Sequence, residues 1–203
     1  MKQSFYSVIR YLDVDANHAV LAGRCIKILH GFLTANGYRN IGVTFPKWSI
    51  DTVGNCIAFV SQNGGSLEEL VSQSPFKIMI EHDIIHTSEI FPVSESAVKI
   101  RFTRSQRIGK QFPGNIRRRY KRRRLRAIDR GEVFKEKLPQ EAEEIEHFHA
   151  IPMSSHENNN KFMLFVQRQE NFDQRGECKE FSSYGLANIK NHSAYVPELV
   201  DWL

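Results

Sequence analysis

Apolar and polar positions change rhythm several times along the chain, and each change marks an element. The segment FYSVIRYL, Phe5 to Leu12, is rich in β-branched and aromatic residues and predicts a first strand. From Asn17 to Asn36 the apolar residues Leu21, Cys25, Ile28, Leu29 and Phe32 recur at helical spacing, and Gly37 offers a terminator. Two strands are expected next, the second of them CIAFVS over Cys56 to Ser61 after Gly54. Gly64 and Gly65 open a short helix over Ser66 to Ser72, with Ser66 and Glu69 in capping-box spacing, and Lys77 to Ile80 is expected to return as a strand. The order βαββαβ predicts an α+β fold whose N-terminal domain is ferredoxin-like, a common RNA-binding scaffold that also hosts unrelated functions.

A proline and two serines near Phe91 to Glu95, namely Pro92, Ser94 and Ser96, mark a boundary, which divides the chain into residues 1–93 and a smaller α+β domain, 94–203. There a β-like segment, Ala97 to Phe102, leads into a helix expected over about 113–129, with Pro113 in its first turn and Asp129 and Gly131 at its end. An acidic stretch, Gln140 to Glu146, is expected to be helical. Two β-like runs, Phe162 to Gln167 and Phe181 to Leu186, follow, and Asn158 to Asn160 is a loop signal.

Composition adds little until charge is mapped. Of 203 residues 41% are hydrophobic and 25% charged, which excludes general disorder. Cys25, Cys56 and Cys178 are odd in number, widely spaced and never in a C-x-x-C pair, so neither a disulfide framework nor a thiolate zinc site is indicated. No apolar run approaches the roughly 18 to 20 residues that span a bilayer, and the start MKQSFYS lacks a signal-peptide core, so a cytoplasmic protein without membrane partners is expected. The net charge of +5 hides an asymmetry: Arg101 to Arg130 holds 13 Lys or Arg residues against the single acidic Asp129. The rest of the chain is net acidic. Such a block is the electrostatic footprint of a nucleic-acid binder, because Lys and Arg that neutralise phosphates release counterions.

Eight of the ten positions from 117 to 126 are basic: Arg117, Arg118, Arg119, Lys121, Arg122, Arg123, Arg124 and Arg126. Most charge runs are solvated helix faces, but a face this dense repels itself and calls for an anionic partner. Arginine outnumbers lysine, which favours bidentate contacts with phosphate or guanine edges. A helix basic nearly all round suits a groove, and the A-form major groove opens enough near a hairpin end to admit it. A membrane-surface helix would need a bulky apolar face, for which only Ile116, Tyr120, Leu125 and Ile128 are available.

Four local motifs then point one way. KILHGFLTANGYRNIGVTFP (Lys27 to Pro46), the basic helix after Arg104 to Gln106, the serine-bearing loop before KFMLFV (Lys161 to Val166) and FSSYGL (Phe181 to Leu186) resemble, in the same order, the CRISPR repeat-processing endoribonucleases of type I-F systems. Those enzymes cut a repeat stem-loop without metal, by attack of a ribose 2′-OH on the adjacent phosphate. The resemblance implies His30 as the residue acting on the 2′-OH or the leaving group, Ser155 as the serine that fixes the reactive ribose, and Tyr184 as the residue orienting histidine or phosphate. Imidazole suits the first role because it ordinarily titrates near neutral pH. By spacing alone His30 could equally be a histidine favoured by the helix dipole, and Tyr184 a sheet-packing tyrosine. Ser154 takes the serine role if the loop slips by one residue, and the sequence departs from the family there: Glu157 stands where a second serine is usual. By the same resemblance Arg104 and Gln106 read base edges and Phe162 stacks on a base, although FMLFV also reads as a buried strand. The variant IGVTFP-x-W and the chain length also look similar to members found beside transposon-associated CRISPR systems.

The implied partners are CRISPR repeat RNA, retained as the 3′ stem-loop of the crRNA, other Cascade subunits, and, in the transposon-associated case, a transposition protein. No cofactor is expected. His147 with His149, which could share a strand face, and His82 with His86, which could share a helix face, lack a third ligand at useful spacing, so no metal is expected. The alternatives are a hairpin-binding assembly subunit with little nuclease activity and a basic DNA-binding regulator.

Overall fold

The computed structural model describes residues 3–134, 145–154, 160–170, 180–187 and 194–199. Strand β1 (Phe5–Tyr11) leads into helix α1 (His18–Asn36). Asn17 caps α1 by accepting the Val20 N–H on its side chain at 3.2 Å. At the other end Gly37 takes φ 66° and Tyr38 donates its N–H back to Leu33 O at 3.0 Å, a left-handed stop that suits glycine. Between the caps, Leu21, Cys25, Ile26, Leu29, Phe32 and Leu33 form the buried stripe.

Strands β2 (Ile41–Thr44) and β3 (Cys56–Ser61) are buried at every position. Helices α2 (Gly64–Val71) and α3 (Ser74–Glu81) follow, then β4 (Ile85–Thr87) and the short β5 (Phe91–Pro92). The sheet order is β2-β3-β1-β4, antiparallel throughout, with β5 pairing the start of β1. This is the expected βαββαβ arrangement, with two local corrections. Lys77 to Ile80 is not a strand but part of α3: Pro75 opens the helix, Phe76 and Met79 bury one face at i, i+3, and Ile78 and Ile80 face solvent. The closing strand is β4 instead. The cap of α2 is Asn63, whose side chain accepts the Ser66 N–H at 3.4 Å; Ser66 itself is buried inside the helix rather than capping it.

Beyond β5 come β6 (Lys99–Arg104), α4 (Gln106–Gln111), α5 (Pro113–Asp129), β7 (His149–Ser154), β8 (Lys161–Gln169) and β9 (Val196–Pro197). They build a second antiparallel sheet, β7-β8-β6-β9. The helix expected over about 113–129 is α5, and Gly131 behind it has φ 67°. Of the acidic stretch, Gln140 to Glu144 lie outside the described residues, while Ile145 and Glu146 are irregular. Asn158 and Asn159 also lie outside them.

Phe181 to Leu186 is a turn, not a strand: Gly185 has φ 69° and donates its N–H to Ser182 O at 2.9 Å, while Leu186 O accepts from the Ser182 N–H at 2.9 Å. Only Ala187 bridges to Thr103. Two serines followed by a left-handed glycine favour reversal over extension. The turn covers the free edge of β2, whose Val43 N–H donates to Gly185 O at 2.8 Å.

One hydrophobic core joins the two sheets. Ile9, Leu29, Leu33 and Phe59 from the first half pack in the same cluster as Phe102, Ile151, Leu164 and Leu186 from the second. Helix α1 is the hinge of that packing, and it approaches β7 so closely that a Cβ on Gly23 would fall 2.2 Å from Pro152 O.

Candidate active site

His30 lies in the second half of α1, half-buried at the edge of the stripe that Leu29 and Leu33 send into the core. Its Nδ1 is 3.1 Å from Ser183 O. A carbonyl only accepts, so Nδ1 donates in this hydrogen bond and Nε2 is the ring nitrogen left for another partner. The Tyr184 ring lies parallel to the imidazole, 4.5 Å between centroids and 5° between planes. The turn at 182–185 therefore supplies the histidine with both an orienting carbonyl and a flat aromatic neighbour. Gly185 makes this approach possible, since a Cβ there would fall 2.7 Å from Leu29 Cδ2 and Val43 Cγ2.

Arg104, at the end of β6, places its guanidinium 4.9 Å from the Tyr184 ring centroid. Its backbone N–H donates to Ala187 O at 3.0 Å, tying the strand to the same turn. His30, Tyr184 and Arg104, distant in sequence, thus form one contiguous cluster.

The serine side is built by β7. Ser154, its last residue, accepts a hydrogen bond at 3.0 Å from Nζ of Lys27, which is one helical turn before His30. Ser155 lies outside the described residues. Phe162 pairs with Met153 in the β7–β8 register and is half-buried against the main core. Gln106 is exposed at the start of α4.

Helix α5 carries Arg117, Arg118, Arg119, Lys121, Arg122, Arg123, Arg124 and Arg126, all exposed, and of its 17 residues only Ala127 is buried. Asn115 joins it to α4: its amide donates to Gly109 O, and its Oδ1 accepts from Arg118 at 2.6 Å. Tyr120 packs edge-on against Phe134, 5.0 Å between centroids. The helix is thus a largely solvated rod of positive charge anchored at its ends.

His147 and His149 come together, their Nε2 atoms 3.3 Å apart, with His149 Nε2 2.9 Å from Ser49 O and its ring edge-on to Trp48. His82 and His86 do not share a helix face: α3 ends at Glu81, His82 caps it, and His86 belongs to β4. Among the described residues no group of three or more His, Cys, Asp or Glu side chains is arranged to hold a metal. No helix among them is long and apolar enough to cross a membrane.

Two contributors to the cluster escaped the sequence. The Ser183 carbonyl is backbone and leaves no compositional trace. Lys27 was detectable in principle, as a cation at i−3 from His30 on one helix face.

No curated protein matches the chain. A family model described as CRISPR-associated protein (Cas_Csy4) matches residues 6–199, which takes in both sheets, α1, α5 and the 182–185 turn. The chain accordingly belongs to the Cas_Csy4 family, the repeat-processing endoribonucleases of type I-F CRISPR systems.

Proposed function

We propose that the protein cuts the stem-loop of its CRISPR repeat RNA by metal-independent transesterification and remains bound to the hairpin. The ribose 2′-O forms a bond to the adjacent phosphorus, the P–O5′ bond breaks, and the products carry a 2′,3′-cyclic phosphate and a 5′-OH. One observation carries the reading: Nδ1 of His30 is held by Ser183 O while its ring stacks on Tyr184, which leaves Nε2 as an oriented proton-transfer atom. Tyr184 keeps the imidazole in plane. Ser155, or Ser154 beside it, holds the reactive ribose. Arg104 and Gln106 read bases near the cut, and Phe162 offers its exposed edge to a base.

Helix α5 gives the affinity. It is about 25 Å long at 1.5 Å per residue and basic on every side, dimensions that suit the opened groove below a hairpin loop. Cleavage leaves that groove and its phosphates in place, so the product hairpin stays bound and anchors the protein in a cytoplasmic Cascade-type complex. In a transposon-associated system that complex would in turn meet a transposition protein.

His30→Ala tests the assignment. Cleavage of the cognate repeat hairpin should fall by orders of magnitude with hairpin affinity preserved, and wild-type activity should persist in excess EDTA. Undiminished cutting by His30→Ala would remove His30 from the mechanism. Strict loss in EDTA would replace the metal-independent route.

A further inference from the structure

Attack of a 2′-oxygen on a phosphodiester places extra negative charge on the non-bridging oxygens as phosphorus becomes five-coordinate. A site that works without metal must meet that charge with fixed hydrogen-bond donors, and a cation among them is the strongest. Among the described residues, contacts place two cations on the elements that build the site: Arg104 and Lys27. The guanidinium of Arg104 is engaged over the Tyr184 ring. Lys27 stands where β7 ends: Nζ is 3.0 Å from Ser154 Oγ, and Lys27 and His30, at i and i+3, share one face of α1. The residue is half-buried, and among the described residues no carboxylate pairs with it. With a hydroxyl and, among the described residues, no carboxylate for company, this half-buried ammonium can turn its charge to an anionic ligand, and it is fixed in direction by that hydroxyl.

We propose that Lys27 is a further catalytic residue of the cleavage reaction, its ammonium contacting a non-bridging oxygen of the scissile phosphate and stabilising the five-coordinate transition state. The inference rests on the proposed transesterification. Lys27 stays protonated throughout: a base takes the 2′-OH proton, the 2′-O–P bond forms, the P–O5′ bond breaks, and the departing 5′-oxygen takes its proton from an acid other than Lys27, either His30 or water. Lys27 contributes charge alone, so its loss should slow the chemical step and spare hairpin binding, which α5 dominates.

The experiment uses the full chain and the hairpin of its own repeat, synthesised with a single phosphorothioate of each configuration at the cut site. A 2′-deoxy version serves for affinity. Lys27→Gln keeps a donor for Ser154 and removes the charge; its cleavage rate at saturating protein should drop on the order of 100-fold with deoxy-hairpin affinity unchanged. The rate difference between the two phosphorothioate configurations should collapse with it, and Lys27→Arg should restore most of the loss. A near-wild-type rate for Lys27→Gln overturns the proposal. So does a slow rate with the configurational preference intact, which would make Lys27 a tether for the end of β7. Should Lys27→Gln not fold, Lys27→Arg carries the test: exchanging ammonium for guanidinium shifts the ratio of the two phosphorothioate rates if the cation touches the phosphate, and a fixed ratio overturns the contact. His30→Ala run alongside separates the two levels. Normal cutting by His30→Ala condemns the whole site, whereas its failure beside a normal Lys27→Gln condemns only Lys27.

Discussion

Gly23→Ala should disable cleavage without touching any residue that meets RNA. The added Cβ would fall 2.2 Å from Pro152 O and 3.3 Å from Ile151 Cγ2, and a main-chain carbonyl cannot rotate away as a side chain can. Restoring ordinary contact requires α1 and β7 to separate by about 1 Å. Such overpacking costs about 1–3 kcal/mol. Alanine's helical preference over glycine returns about 1 kcal/mol, so the net loss is about 0–2 kcal/mol and the fold survives. For a chain of this size that lowers Tm by at most roughly 8 °C. The site suffers more. Lys27 and His30 lie one and two turns further along α1, and Ser154 is two residues past Pro152 on β7, so the displacement opens the gap between the proton-transfer side and the serine side. Misplacement by about 1 Å can cost a factor of roughly 100 in rate. Thermal melting and single-turnover cleavage of the repeat hairpin measure the two effects. Gly31→Ala, on the same helix where a Cβ meets nothing within 4 Å, is the control and should raise Tm. A folded Gly23→Ala protein with unchanged Tm and unchanged cleavage would refute the idea that α1–β7 contact sets the site.

Three further outcomes are expected. Replacing Arg118 and Arg122 together by alanine should weaken hairpin binding and reduce the log–log salt slope by about 0.7–0.9 for each phosphate left without its cation, read from affinities across a salt series; an unchanged slope argues against groove binding. Gly185→Ala places a side chain at φ 69° and against Leu29 and Val43, so it should lower Tm and slow cleavage through Tyr184 while hairpin affinity, measured by filter binding, holds. Burial pushes the Cys25 thiol up to about 12 from its ordinary 9.0, so iodoacetamide at pH 8 should leave Cys25 unmodified in the folded protein and label it in urea, as peptide mass spectrometry would show. Above pH 9 the unfolded thiol ionises while the buried one holds its proton, so the stability contributed by the protonated Cys25 is complete below 9 and shrinks as pH rises toward 12.

The elements legible in the sequence were those whose pattern and local chemistry agreed. Helix α1 announced itself through Leu21, Cys25, Leu29 and Phe32 with Asn17 and Gly37 at its ends, and α5 through Pro113 and unbroken charge. Lys77 to Ile80 misled because four residues that alternate lysine and isoleucine with a methionine read as period two, whereas the burial of Phe76 and Met79 follows period three to four. FSSYGL misled for the opposite reason: its aromatic residues suit a strand, yet Tyr184 is used to stack on His30 and Gly185 to turn the chain. Within the site, family resemblance implied that Tyr184 serves either His30 or the phosphate, whereas the Ser183 carbonyl and the Lys27 to Ser154 hydrogen bond arise only when α1, β7 and the turn meet.

With Ala127 as the single buried residue of helix α5, almost every position on that helix can be exchanged without disturbing a packed neighbour. In α1, by contrast, the histidine shares its helix with eight buried residues, and few substitutions escape the core. On the proposed reading the molecule thereby separates what it must hold constant from what it can retune: grip on the hairpin can be adjusted on an outlying rod, while the histidine's placement, set by a helix packed into the core, is left as it was.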